Sequence, residues 1–188
     1  MPLEYVSRRR LLLTGLSVAC CAGICLPVSA QTALTAGLAS GPQALIDGAE
    51  PIGSGRFSYL GMTPFRVTLY APQGEYDPDG SFALQLIFLR RIKASRIISV
   101  SINEIKRQGF KDAATLSDWR RQLETIIPTM EKNGDITGVR NGQGHTIFYL
   151  NGQQIGAIRD VRFSQYFFGI WLSARSRSPT LRKQLLGV

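Results

Sequence analysis

Few residues of this 188-residue chain have a type and spacing that would support known chemistry. His145 is the only histidine, and it stands in a Gly-Gln-Gly-His stretch typical of an ordinary turn. Because an imidazole metal site needs further histidine or cysteine ligands, the sequence predicts no metal site. All three cysteines fall within residues 1–30, so residues 31–188 offer no thiolate nucleophile. We also expect no cofactor.

Two short motifs resemble ligand-binding loops, but each lacks a residue that the binding pattern requires. Gly53-Ser54-Gly55 begins a dinucleotide-binding pattern, but Ser58 occupies the position of the third glycine. The acidic residues of 75–80 begin like a calcium loop, but Leu86 stands where a bidentate glutamate is required. Asp77-Pro78-Asp79-Gly80 is instead typical of a β-turn, because proline presets φ at the second position and glycine suits the fourth.

The first thirty residues predict an export signal rather than a part of the fold. Ser7-Arg8-Arg9-Arg10 precedes a run of apolar residues and resembles the twin-arginine signal, and Val28-Ser29-Ala30 offers the small residues that a signal peptidase needs. We expect cleavage near Ala30 and a periplasmic location. Two alternatives stay open: the apolar segment could remain as a membrane anchor, or one of the cysteines could carry a lipid (Cys20, Cys21 or Cys25).

Positive charge dominates the chain, which has a formal net charge of +9. Without residues 1–30 it keeps 19 basic and 12 acidic residues, a net charge of +7. The basic residues are spread from Arg56 to Lys183 with no run of five like charges, which favours a solvated surface. Because an exported protein rarely meets nucleic acid, we expect no nucleic-acid partner. Weak association with an anionic membrane surface is the alternative.

Hydrophobic periodicity divides the chain into strands and helices. Residues 31–51 are rich in Ala, Gly, Thr and Ser and predict a flexible tether, in which Ala44-Leu45-Ile46 could form a short ordered piece, followed by a domain over residues 52–188. Strands are predicted at 56–60, 65–70, 82–89, 135–140, 146–150 and 154–158, and Asn151-Gly152 predicts a tight hairpin turn between the last two. Helices are predicted at 94–108, 115–127, 160–172 and 179–186. For the first of these a strand is the alternative, because apolar and polar residues alternate over 98–103. This order indicates an α+β fold with an antiparallel sheet, and the apolar stripe of the second helix predicts that Trp119 lies in the core.

Three stretches together resemble the exported bacterial branch of the chalcone isomerase-like family. They are Gly53-Ser54-Gly55-Arg56 with Val67-Thr68-Leu69-Tyr70-Ala71-Pro72, then Trp119 with Gly134-Asp135, and finally Phe167-Phe168-Gly169-Ile170-Trp171-Leu172 with Leu181-Arg182 and Leu185-Leu186-Gly187. The resemblance covers roughly residues 52–187. It implies an open-faced β-sandwich, in which a large antiparallel sheet carries a layer of helices on one face.

The resemblance also bears on activity. True chalcone isomerases close a flavanone ring with an early-strand arginine and a tyrosine, a threonine and an asparagine. Arg56 would supply the arginine, and Asn103 lies near the place of the asparagine, but Lys93-Ala94-Ser95-Arg96 holds no tyrosine. The resemblance therefore implies a protein without a catalytic residue set, which serves as a scaffold or binds an apolar or fatty-acid-like molecule, as non-catalytic relatives bind fatty acids in the same cleft.

Four residues are the candidates for binding such a ligand: Arg56, Tyr59, Tyr70 and Asn103. We expect Arg56 to point into a cleft between the sheet and the helices, because it follows Gly53-Ser54-Gly55 on an alternating strand. The alternative is that its guanidinium extends to solvent from the edge of a strand. An isomerase or lyase that uses Arg56 with Tyr59 or Tyr70 on a small molecule is the alternative.

Overall fold

The computed structural model describes residues 41–59 and 62–188. The predicted export signal, the alternative membrane anchor and lipidated cysteine, and the first part of the predicted tether lie outside the described residues. Among the residues described, no helix combines the length and the apolar character needed to cross a membrane.

The centre of the fold is a six-stranded antiparallel sheet in which the strands are neighbours in chain order. Its strands are β1 (Ala49–Tyr59), β2 (Met62–Pro72), β3 (Phe82–Phe88), β4 (Asp135–Arg140), β5 (Thr146–Leu150) and β6 (Gln153–Ile158). The predicted antiparallel α+β fold is therefore confirmed.

Turn residues fix two of the strand connections where the sequence predicted them. Asn151 and Gly152 join β5 to β6 and both have positive φ, 48° and 82°, which suits a tight hairpin turn. In the loop between β2 and β3, the backbone N–H of Gly80 donates to the carbonyl of Asp77 at 3.1 Å. The N–H of Asp79 donates to the carboxylate of the same aspartate at 2.9 Å, as in an Asx turn.

The described residues form four α-helices: α1 (Ala94–Arg107), α2 (Ala113–Ile126), α3 (Val161–Leu172) and α4 (Pro179–Leu186). The start of α2 differs from the prediction at Thr115, because Asp112 caps the helix by accepting a hydrogen bond from the Thr115 N–H at 2.9 Å. Helix α4 begins with Pro179 and is followed by Gly187 with φ of 69°, the conformation that ends many helices.

These four α-helices cover one face of the sheet, and the core lies between the two layers. Residues of this inner face alternate with outward-facing ones and continue across the strands, as in the row Leu69, Leu84, Gly138 and Phe148. Trp119 is buried as predicted, at 1% exposure, and its ring lies 4.5 Å from that of Phe110.

Helix α4 packs directly on the backbone of β1, at Gly53 and Gly55. A methyl group added at Gly53 would come within 2.0 Å of the carbonyl oxygen of Gln184, and one at Gly55 within 2.5 Å of Leu181. These two glycines therefore face the helices, and this fixes which side chains of β1 point inward.

The segment before β1 packs against the opposite, outer face of the sheet. Pro42 and Ile46 are buried, and Ile46 belongs to a small cluster with Ala49, Ala83 and Val139. The predicted tether over residues 31–51 therefore gives way to ordered structure before Ile52, since β1 already begins at Ala49. The physical reason is that the apolar side chain of Ile46 is buried against the outer face of the sheet.

Candidate functional site

A cavity of about 610 Å³ lies between the inner face of the sheet and helix α1. This volume falls within the usual range of ligand pockets, roughly 300–1,000 Å³. The sheet side of its wall is apolar throughout, and its lining residues come from five strands: Phe57, Pro64, Phe65, Leu84, Leu86, Phe88, Ile136, Gly138 and Phe148.

The helical side of the wall is also largely apolar. It includes Ile97 and Ile98 of α1, Leu123 of α2, and the aromatic run Phe167 and Phe168 of α3. Helix α1 packs mainly on α2 and α3 rather than on the strands below it. The cavity is therefore the space that α1 leaves above β2 and β3.

Basic side chains surround the mouth of the cavity, and we call this set the basic rim: Arg90, Arg91, Lys93, Arg96 and Arg177. The first four occupy the β3–α1 loop and the first turn of α1. All five residues are exposed. The side chains of Lys93 and Arg96 have no ion-pair or hydrogen-bond partner among the described residues, so they can meet an anion from solvent.

One carboxylate lies among the described lining residues, that of Glu104 on α1. Its residue is 9% exposed, and its oxygens lie 2.7 Å from Arg107 Nε and 2.8 Å from the guanidinium of Arg177. Because both oxygens are already paired with arginines, Glu104 holds the α3–α4 loop against α1 and is not free to act as a proton acceptor.

The structure places Arg56 away from this cavity. Its neighbour Phe57 lines the cavity, whereas Arg56 is exposed and stands opposite Arg66 on the outer face of the sheet. The prediction that Arg56 points into the cleft is therefore wrong. The reason is the phase of the strand: Gly53, Gly55 and Phe57 face the helices, so that the residues between them face outward.

Tyr70 also lies on the outer face, inside a small polar network. Its hydroxyl donates to Gln85 Oε1 at 3.2 Å, and the amide of Gln85 donates to the carboxylate of Asp135. Thr137 donates to the other oxygen of that carboxylate at 3.1 Å. Burial raises the pKa of Asp135, although both donors oppose the shift. Burial, with the nearby Asp135, also raises the pKa of Tyr70.

Asn103 is the predicted residue that the structure brings to the cavity. It lines the cavity from α1 and is exposed. Tyr59 is the last residue of β1, and its side chain is outside the described part of the structure. Arg56, Tyr70 and Asn103 therefore do not converge on one site, since two lie on the outer face and one lines the cavity.

Sequence reasoning missed the basic rim, which is the main polar feature of the cavity. Its signal was present, because residues 90–96 hold four basic residues in seven positions and no acidic one. The described residues contain no group of three or more His, Cys, Asp or Glu that could hold a metal ion. The arrangement is chemically suited to hold an amphiphile, with an apolar body inside and an anion at the mouth.

The comparisons with known proteins agree with this fold. Residues 62–187 match the model of the chalcone isomerase-like family, and the chain belongs to that family. An uncharacterised protein of Haemophilus influenzae is 26% identical over 139 residues, which are 73% of this chain and 68% of that protein.

A solved structure shares the architecture at low sequence identity. The crystal structure of a fatty-acid binding protein of Arabidopsis thaliana superposes with a TM-score of 0.60 and 12% identity. The match covers 74% of this chain and 87% of that one. At this identity the likeness establishes the fold.

Proposed function

We propose that this protein binds a fatty acid or a similar anionic amphiphile without converting it. The observation that carries the proposal is a cavity of about 610 Å³ whose walls are apolar and whose mouth is basic. The same fold in a plant fatty-acid binding protein supports the proposal.

The distribution of polarity sets the orientation of the ligand. Burying an unpaired carboxylate among apolar side chains is costly, and the sheet side of the wall offers no donor side chain to compensate it. The acyl chain therefore occupies the interior, where each buried methylene contributes about 0.8 kcal/mol. The carboxylate stays at the mouth beside Lys93 and Arg96, which have no anion of their own.

The same geometry argues against catalysis. General acid–base chemistry needs a positioned proton donor or acceptor beside the bound molecule. Glu104 is paired with Arg107 and Arg177, and the described lining contains no histidine, aspartate or tyrosine. The alternative of an isomerase or lyase using Arg56 with Tyr59 or Tyr70 would need the arginine and a hydroxyl in one pocket. Arg56 and Tyr70 lie on the outer face of the sheet and do not line the cavity, and the side chain of Tyr59 is outside the described part of the structure.

Displacement of a fluorescent fatty acid tests this function. Leu86→Trp places a larger side chain in the cavity wall, and we expect at least a tenfold weaker affinity for palmitate. Ile87→Trp is the matched control, because Ile87 is the next residue on the same strand, faces the outer side and does not line the cavity. Circular dichroism and thermal melting establish that both variants fold.

Two results would count against the proposal. Equal palmitate affinity in folded Leu86→Trp and the wild type would place binding outside the cavity. Turnover of a chalcone by the wild-type protein, measured by absorbance, would overturn the non-catalytic assignment.

We further propose that the protein acts in the periplasm after cleavage near Ala30. The support is the sequence of residues 1–30, with Arg8 and Arg9 before an apolar run and small residues at its end. N-terminal sequencing of the protein from its own cells is expected to begin near Gln31. Recovery of intact Met1 in the cytoplasm would contradict the proposal, and continued export of an Arg8→Lys, Arg9→Lys double variant would remove the twin-arginine route.

A further inference from the structure

The basic rim and a patch of apolar surface lie together around the mouth of the cavity. Val100 on α1 is 38% exposed, one of few large apolar side chains so exposed among the described residues, and it lines the mouth. Ile92 and Ile97 are half-buried at the same place. Basic residues that surround an apolar opening form the combination that binds the surface of a negatively charged bilayer.

We propose that the mouth of the cavity docks on an anionic phospholipid bilayer, with the basic rim against the lipid phosphates. This inference rests on the proposed binding function and adds to it the surface from which the ligand enters. In this orientation Val100 meets the interfacial region of the bilayer. An acyl chain then passes from the bilayer into the apolar interior without crossing bulk water.

The charges of the rim support this orientation. Among the described lining residues, Arg90, Arg91, Lys93, Arg96 and Arg177 face a single carboxylate, Glu104, which is paired with Arg177. Arg91 forms an ion pair with Glu131, in which Arg91 Nε lies 2.7 Å from Glu131 Oε1. Both side chains are more than 60% exposed, and ion pairs so exposed to solvent are weak. Lys93 and Arg96 have no ion-pair partner among the described residues, so the mouth keeps a positive charge that attracts anionic headgroups.

The opposite end of the sheet provides an internal comparison. The basic rim follows the C-terminal end of β3. Because β4 pairs with β3 in the antiparallel direction, β4 begins at that end and finishes at the opposite one, where the β4–β5 turn lies. Val161 stands beside Gly144 of that turn and is 50% exposed. Val100 and Val161 are thus exposed valines at two ends of one fold, and only Val100 belongs to the proposed docking surface.

Vesicle co-sedimentation tests the orientation without added fatty acid. The protein, purified as it occurs in its own cells, is mixed with one of two kinds of vesicle. One kind contains phosphatidylcholine with phosphatidylglycerol, and the other contains phosphatidylcholine alone. We expect binding to the anionic vesicles, weakened by added salt. Because each basic residue near an anionic surface contributes roughly a fivefold factor, Lys93→Gln with Arg96→Gln should lower the partition coefficient roughly thirtyfold.

Two controls isolate the rim. Arg159→Gln with Lys183→Gln removes the same charge from exposed residues outside the cavity lining, and should change binding less than threefold. Val100→Asp should weaken binding, whereas Val161→Asp should not. Residues 1–30 are either present in every variant or absent from every variant. Any vesicle binding by that segment is therefore the same in all of them and does not affect the comparison.

The outcomes separate docking from ligand binding. Equal losses in the rim and control pairs, or equal binding to both kinds of vesicle, would overturn the docking proposal even if palmitate still binds. If Leu86→Trp abolishes palmitate binding and still sediments with anionic vesicles, the two functions are separate, as the proposal requires.

Discussion

The two buried tryptophans offer a sharp test of how this core is held together, because their indole N–H groups differ. Trp119 Nε1 donates to the carboxylate of Asp160 at 3.2 Å. Trp171 Nε1 is fully buried and has no hydrogen-bond partner among the described residues. Both rings are in the core, at 1% and 6% exposure, so that Trp→Ala at either position should cost about 3–5 kcal/mol.

Replacing each tryptophan by phenylalanine separates the N–H from the ring. At Trp119 the smaller ring buries less apolar area, which costs about 1 kcal/mol. The change also removes a hydrogen bond to a charged acceptor, which contributes about 1.5 kcal/mol or more. Asp160 keeps Arg162 at 2.9 Å, so its charge is not left without a partner. We therefore expect Trp119→Phe to lower the free energy of unfolding by about 2–3 kcal/mol.

At Trp171 the two effects oppose each other. Phenylalanine loses a similar apolar area, but it also removes an unpaired buried donor, whose desolvation costs about 1–3 kcal/mol. The expected change for Trp171→Phe is therefore close to zero. The two variants should differ by about 2 kcal/mol, or about 4–8 °C in thermal midpoint.

Urea unfolding without ligand measures this difference, provided that the slope with denaturant is the same for all three proteins. Equal losses of stability in Trp119→Phe and Trp171→Phe would refute the reasoning. That result would mean that ring packing decides both values and that the hydrogen-bonding difference has no energetic weight.

Three further predictions concern packing, pH and the ligand. Gly53→Ala should lower the thermal midpoint strongly in a melting experiment, because the added methyl meets the Gln184 carbonyl, whereas Gly142→Ala has its nearest neighbour at 3.7 Å and should be nearly neutral. Burial raises the pKa of Asp135, so the folded state holds this proton to higher pH than the unfolded one and loses stability as pH rises between the two pKa values. Asp135→Asn, unfolded in urea at several pH values, should therefore gain stability relative to the wild type across that window, and a constant difference would contradict the assignment. In fluorescence displacement, each methylene added to a saturated fatty acid should tighten binding about fourfold until the cavity is full, and an absence of chain-length dependence would exclude the tail from the cavity.

The order of the elements could be read from the sequence because local patterns and tertiary packing agree along this chain. The Asn151-Gly152 hairpin and the strand at residues 135–140 needed no information beyond turn chemistry and alternation. The start of α2 was predicted too late, because Asp112 can cap a helix as well as Thr115, and a pattern of apolar residues does not choose between them.

The site could be predicted only in part, because alternation along a strand does not say which side faces the helices. The sequence of β1 shows Arg56 and Phe57 on opposite sides, and the packing of α4 on Gly53 and Gly55 decides between them. The basic rim was missed for a similar reason. Four basic residues in a loop are usually a solvated surface, and the position of residues 90–96 at the mouth depends on where α1 rests.

The position of α1 connects the fold to the proposed function. Helices α2 and α3 support it through side contacts, and an ion pair from Glu104 to Arg177 joins it to the α3–α4 loop. Its buried isoleucines, such as Ile98, would otherwise be expected to draw the helix onto the strands. Because these lateral contacts hold α1 above the sheet, the apolar surfaces of β2 and β3 keep a space between them and the helix. An acyl chain can fill that space with the apolar contacts that the helix itself does not make, so ligand binding should raise the thermal midpoint of the protein.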